Sequence, residues 1–344
     1  MELTPRKQAV LKAIVKAYIE TGEPIGSKNL TALIDNAPSS ATLRNEMSEL
    51  CELGFLHQPH TSAGRIPTSS GYRLYVNSLM NKPPLSKETE ALIDNEFSDI
   101  HSEPESIPAA AAQILSRITG LPAISCLMTE RPARIKRIEL LPIGRFSVML
   151  LIITDDGRTR NRIFRQGKNF TKQIENEFYD IVSRKIKGKP ISELTKPYIQ
   201  GVIAEAGFSS LELMPLLSAV FETALEIEET DLTLQGENTL YNIFGSEEKI
   251  AKVMSLIKRR DPIISILENI EENVGAVFGA DTEYNELQKD TIIAAKFSGG
   301  DKYKGYIGII GPNRISYDKI MPGIEYTAQK LTKLITEAQK DMED

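Results

Sequence analysis

Three histidines, His57, His60 and His101, and two cysteines, Cys51 and Cys126, carry all the imidazole and thiol chemistry in 344 residues. Cys51, His57 and His60 lie near enough in sequence to be tested as a metal set, because a His-x-x-His pair is a common half-site. On an extended segment, however, that spacing sends the two imidazoles to opposite faces, and no fourth ligand is nearby. None of the histidines accompanies a Gly-x-Ser-x-Gly, His-Glu-x-x-His or Walker pattern. Gly305-x-x-Gly308-x-x-Gly311 resembles a phosphate loop superficially, but it runs through a strand-like segment into Pro312 and not into a helix. Carboxylate pairs sit on helix-periodic stretches, where they read as solvated faces. These residues compose no catalytic constellation, so no enzyme activity, cofactor or metal is expected.

Ser39, Ser40, Thr42, Arg44 and Asn45 suggest a different chemistry. They open a helix-periodic segment whose buried stripe is Leu43, Met47 and Leu50. At about 100° per residue the opposite face carries Ala41, Thr42, Asn45, Ser48 and Glu49, with Arg44 on the flank. Short hydroxyls, one guanidinium and one amide are the donors and acceptors that read base edges and phosphates, and the first turn of a helix also favours an anion. Glu46, Glu49 and Glu52 oppose this, although they lie toward the far end. Downstream, His60-Thr61-Ser62-Ala63-Gly64-Arg65 reads as a hairpin tip, with Gly64 permitting the turn and Arg65 projecting toward phosphate or the minor groove. The expected DNA-contacting set is Ser39, Ser40, Thr42, Arg44, Asn45, His60, Thr61, Ser62 and Arg65.

The elements that must position these residues follow from periodicity. A helix is predicted over 5–20, capped by Thr4 with Pro5 in its first turn and stopped at Gly22. A second begins at Ser27 and is expected to bury Leu30, Leu33 and Ile34. The third runs from Ser39 to about Leu53 and ends at Gly54. Short strands around 55–58 and 65–68, then a helix over 70–80, complete the order of a winged helix-turn-helix. Asn81-Lys82-Pro83-Pro84 marks a linker. Beyond it, strands are expected at 124–128, 135–141, 146–154 and 160–165, and again at 274–279, 290–297 and 303–311. The intervening 170–230 region is read as helical. One α/β domain interrupted by a helical insertion fits this order.

Composition is compatible with that plan without dictating it. A net charge of −6 is unlike a DNA-binding protein, but residues 1–80 carry net +1 and the remainder net −7. The longest apolar run, 148–153, is far too short to span a membrane, and the first residues have no secretory h-region. With two cysteines and no disulfide framework, a cytoplasmic protein is expected.

Pro38-Ser39-Ser40-Ala41-Thr42-Leu43-Arg44-Asn45-Glu46-Met47, the wing His60-Thr61-Ser62-Ala63-Gly64-Arg65-Ile66-Pro67-Thr68, and Gly71-Tyr72-Arg73 together closely resemble HrcA, the bacterial heat-inducible transcription repressor family. The segment 303–317, Tyr-Lys-Gly-Tyr-Ile-Gly-Ile-Ile-Gly-Pro-Asn-Arg-Ile-Ser-Tyr, resembles that family's C-terminal signature. The resemblance implies an α+β multi-domain chain: a winged-helix domain over 1–80, a linker over 81–108, a GAF-like α/β domain over 109–168 and 239–344, and an inserted, mostly helical dimerisation domain over 169–238. It also implies repression of chaperone operons through a double-stranded inverted-repeat operator called CIRCE, bound by a homodimer and inactivated on heat stress, with the chaperonin GroEL as a partner and no membrane. A rival expectation is a winged-helix regulator whose α/β domain senses a small-molecule ligand.

Overall fold

In the computed structural model, which describes residues 3–98, 100, 105–129, 132–165, 170–228, 231–300 and 302–343, α1 (Pro5–Thr21) starts where Thr4 Oγ1 accepts the Lys7 N–H and stops at the left-handed Gly22. Its buried stripe is Val10, Leu11, Ile14 and Val15. The second helix, α2 (Ser27–Leu30), is a single turn. Leu30 is buried as expected, but Leu33 is 52% exposed because the helix has already ended before it. α3 (Ser40–Glu52) buries Leu43, Met47 and Leu50 against α1 and α2. β1 (Leu56–His57) and β2 (Ile66–Pro67) pair antiparallel, and α4 (Ser69–Leu74) continues into a π-helical turn over Tyr75–Leu79.

The 81–108 stretch is not only a linker, which corrects the expectation. After Pro83-Pro84, Ser86 Oγ accepts the Thr89 N–H, and α5 (Lys87–Ser98) buries Ile93 and Phe97. His101 lies outside the described residues, and α6 (Ile107–Thr119) already includes Ile107 and Pro108 of the expected linker. The chain then enters β3 (Ala123–Thr129), whose first five residues are buried.

The chain divides into two compact units, one over 1–127, 232–300 and 304–344, the other over 128–231 with 301–303. The expected boundary at 168/169 therefore falls inside the second unit. That unit holds β4 (Ile135–Pro142), β5 (Ser147–Thr154) and β6 (Thr159–Arg165), an antiparallel sheet in the order β4-β5-β6. The expectation that these strands belong with β3 is corrected here: among the described residues they form a sheet of their own that does not include β3, so the inserted part carries its own sheet as well as helices. α7 (Lys172–Lys185), α8 (Lys196–Glu205) and α9 (Ser210–Glu228) complete it.

Period-two alternation gives that sheet two different faces. Ile138, Leu140, Val148, Leu150 and Ile152 are buried in one core with Phe178, Val182, Leu213 and Leu217 of the helices. The register Leu141↔Met149↔Ile163 and Glu139↔Leu151↔Asn161 puts Leu141, Met149, Leu151 and Ile163 on the other face. There Leu141 is 48% and Ile163 58% exposed.

In the first unit the chain resumes with β7 (Asp231–Gln235), α10 (Leu240–Phe244), α11 (Glu247–Lys258) and α12 (Asp261–Glu268). β8 (Val274–Phe278), β9 (Asp290–Gly299) and β10 (Tyr303–Pro312) follow, before α13 (Tyr317–Glu343). The five strands run in the order β7-β3-β10-β9-β8. Here the glycine triplet finds its explanation. A Cβ at Gly305 would lie 2.2 Å from the Cys126 carbonyl oxygen, and one at Gly308 2.1 Å from that of Ile293. Gly305 and Gly308 let β10 pack between its neighbours, and all three glycines lie inside the strand. Among the described residues no helix is long and apolar enough to cross a membrane.

Candidate nucleic-acid interface

The first turn of α3 is built by hydroxyls. Ser39 Oγ accepts the Thr42 N–H at 3.2 Å and shares a 2.9 Å hydrogen bond with Thr42 Oγ1, fixing the cap. Ser40 Oγ is bonded to Ser27 Oγ at 2.9 Å, so it ties α3 to α2 across the helix-turn-helix. Arg44 and Asn45 are exposed on the following turn. If each touches a base edge, alanine at either position is expected to weaken operator binding by about 1–3 kcal/mol while affecting scrambled DNA less. Competitive binding isotherms check this, and unchanged affinity in both variants would remove these residues from the interface.

The acidic residues that oppose a DNA-reading helix are largely neutralised by α1. Lys7 Nζ lies 3.1 Å from Glu46 Oε2 and 2.7 Å from Glu49 Oε2, and Arg6 Nη1 lies 3.7 Å from Glu46 Oε1. Hydrogen bonding to Glu49, then to Glu46, pushes the Lys7 ammonium above its ordinary pKa, so it stays charged through the physiological range. Sequence reasoning missed this pairing, since Arg6 and Lys7 sit on another helix. Lys7→Ala should weaken operator and random DNA alike, on the order of threefold, with the effect shrinking as salt rises. A salt series of binding isotherms measures it.

The wing departs from the expected geometry at its root. Ala63 N–H donates to the His60 carbonyl at 2.9 Å, and Gln58 Nε2 donates to the Thr61 and Ala63 carbonyls at 2.9 and 3.1 Å. These bonds hold His60, Thr61 and Ser62 exposed at the turn. Gln58 is a positioning residue that sequence reasoning overlooks; a side-chain amide beside a short polar turn is the available signal. Arg65 is not at the tip. Its N–H donates to the Ile25 carbonyl at 2.9 Å and its carbonyl accepts the Ile25 N–H at 3.0 Å, a single antiparallel bridge that ties the wing to the segment before α2. The side chain is half-buried, with Nη1 3.4 Å from the Ala63 carbonyl. Gly64 serves this close approach and not a turn, since a Cβ there would lie 2.4 Å from the backbone carbon and oxygen of Ile25.

The structure thus gathers Ser39, Thr42, Arg44 and Asn45 on α3 and His60, Thr61 and Ser62 on the wing turn. Ser40 and Arg65 stand at the supporting margins. Among the described residues, no group of three or more His, Cys, Asp or Glu side chains is placed to hold a metal.

A three-helix unit with a short hairpin and a hydroxyl-capped, solvent-facing third helix defines a winged helix-turn-helix DNA-binding domain. A family model described as "Winged helix-turn-helix transcription repressor, HrcA DNA-binding" matches residues 2–80, and one described as "HrcA protein C terminal domain" matches 105–321. The chain belongs to the HrcA family. It is 30% identical over 341 residues to a heat-inducible transcription repressor HrcA of Desulfitobacterium hafniense, covering 98% of this chain and 99% of that one. It is also 30% identical over 351 residues to the protein of that name from Thermoanaerobacter sp. strain X514, covering 99% of each. A crystal structure of a hypothetical protein shares the fold, with a TM-score of 0.59 at 23% identity, covering 98% of this chain and 100% of that one.

Proposed function

We propose that this chain represses transcription of heat-inducible chaperone operons as a homodimer, each winged helix occupying one half of an inverted-repeat operator of the CIRCE type. It acts in the cytoplasm as a regulator and not as an enzyme, and heat stress releases it. The observation that carries this reading is α3, with its first turns open to solvent and Glu46 and Glu49 held by Arg6 and Lys7. Ser39, Thr42, Arg44 and Asn45 address the major groove. His60, Thr61 and Ser62 address the flanking backbone, and Arg65 offers its guanidinium to a phosphate at the wing root. Ser40 fixes the approach of α3.

One winged helix of near-neutral charge gains affinity when a second copy is linked to it, and two-fold symmetry matches an inverted repeat. The apolar outer face of the β4-β5-β6 sheet supports self-association through the inserted unit. On α9 Leu211 and Met214 are exposed but Leu217 is fully buried, which favours the sheet face. The five-stranded part takes the GAF-like role, and GroEL is the partner that the family resemblance implies. Footprinting on an inverted-repeat operator tests the reading. Two symmetric protected half-sites with one chain on each are expected, and a single protected patch would overturn it.

A further inference from the structure

We propose that the turn from Asn313 to Tyr317, between β10 and α13, is a latch that sets the direction of the winged helix on the five-stranded domain, with Asn313 and Arg314 as positioning residues for operator binding. The inference rests on the operator reading above and adds which residues hold the two recognition helices at one spacing.

The turn is anchored rigidly on its own side. Asn313 N–H donates to the Lys289 carbonyl at 3.1 Å, and the Tyr317 hydroxyl donates to the Asn313 carbonyl at 2.7 Å. Tyr317 is fully buried, with its ring 6.0 Å from that of Phe278. From this base the turn reaches the winged helix at separate points. The Tyr317 ring lies 6.1 Å from that of Tyr72 in α4. Asn313 Nδ2 donates to Ser69 Oγ at 3.1 Å, at the start of the same helix. Arg314 Nη1 donates to the Ile19 carbonyl at 3.3 Å, one of the carbonyls left free at the end of α1. A cation there is also favoured by the helix dipole. Arg73 of α4 also pairs with Asp281, in the segment after β8.

Three contacts on two helices, α1 and α4, fix an orientation, which the covalent tether through Asn81–Pro84 cannot do alone. The β10–α13 signature, whose glycines serve the sheet, thereby ends in a device serving the DNA-reading domain. In a dimer, the angle of each winged helix on its own domain decides which half-site spacing both can engage together.

The test measures full-length protein by fluorescence anisotropy on three duplexes: the inverted-repeat operator, the same operator with two base pairs added between half-sites, and one half-site. Wild type should prefer the native spacing by about tenfold or more. Asn313→Ala with Arg314→Ala should bind the half-site like wild type, lose about tenfold on the native operator and discriminate spacing hardly at all. Arg314→Lys should retain most of the discrimination. A double variant with wild-type spacing preference would overturn the latch, as would an equal loss on half-site and operator. If wild type binds a scrambled duplex of equal length, titrated alongside the three, as tightly as the operator, the operator reading fails and the latch falls with it.

Discussion

A chain carrying Met149→Glu and Ile163→Glu is expected to sediment as a monomer and to lose about 100-fold or more in operator affinity while binding a half-site unchanged. The two residues are cross-strand partners on the outward face of the three-stranded sheet. Leu141 completes the row, and Leu151 lies beside it. Across a two-fold interface four carboxylates would meet in a region that excludes water, where like charges repel strongly and desolvation is costly. The fold itself should tolerate the change, because the core of the unit lies on the opposite face, with Val148, Leu150 and Ile152. Leu211→Glu, at the start of α9, serves as comparison and should remain dimeric. Sedimentation velocity decides the matter: dimers in the double variant would place the association surface elsewhere.

Gly64→Ala should damage both the wing and DNA binding. Its new Cβ would stand 2.4 Å from the Ile25 backbone and 2.8 Å from Gly26 N, and backbone cannot swing aside as a long side chain does. Relieving the overlap means parting the pair of hydrogen bonds between Ile25 and Arg65, and with them the base of the hairpin. A cost of about 2–3 kcal/mol is expected from such overpacking, together with a clear loss of operator affinity as His60, Thr61 and Ser62 lose their support. Gly26→Ala is the control. Gly26 has φ −87°, and a methyl added there would meet nothing within 4 Å, so this change should leave both properties intact. Melting curves and binding isotherms for the two variants separate a backbone contact from mere tolerance of glycine.

The recognition helix and wing are legible in the sequence because their signals are local. Ser39 caps within three residues, Leu43, Met47 and Leu50 repeat at helical spacing, and the hairpin closes over a few residues. The features that periodicity misreads depend on partners distant in sequence. Gly64 looks like a turn residue because Ile25, the backbone it must approach, lies 39 positions earlier. Leu33 fits a helical stripe, yet α2 ends after one turn and Asn36 takes a left-handed φ of 53°. Strands β4 to β6 follow β3 directly in sequence, and alternation alone cannot say which strands share a sheet. β7 is hidden behind an acidic helical segment, and only pairing with β3 identifies it as a strand. Pro83-Pro84 signals a break correctly but says nothing of α5, which Asp94 helps to seat on α13 through Tyr326 and Lys330.

The most direct measurement compares the inverted-repeat operator with a scrambled duplex of equal length, titrated with the full-length chain from roughly 50 to 300 mM salt. The operator should bind about 1,000-fold or more tightly than the scrambled duplex near physiological salt. Both affinities should fall steeply with salt as phosphate contacts release counterions. Equal affinity for the two duplexes at every salt concentration would contradict a sequence-reading α3 and, with it, the assignment of this chain as an operator-binding repressor.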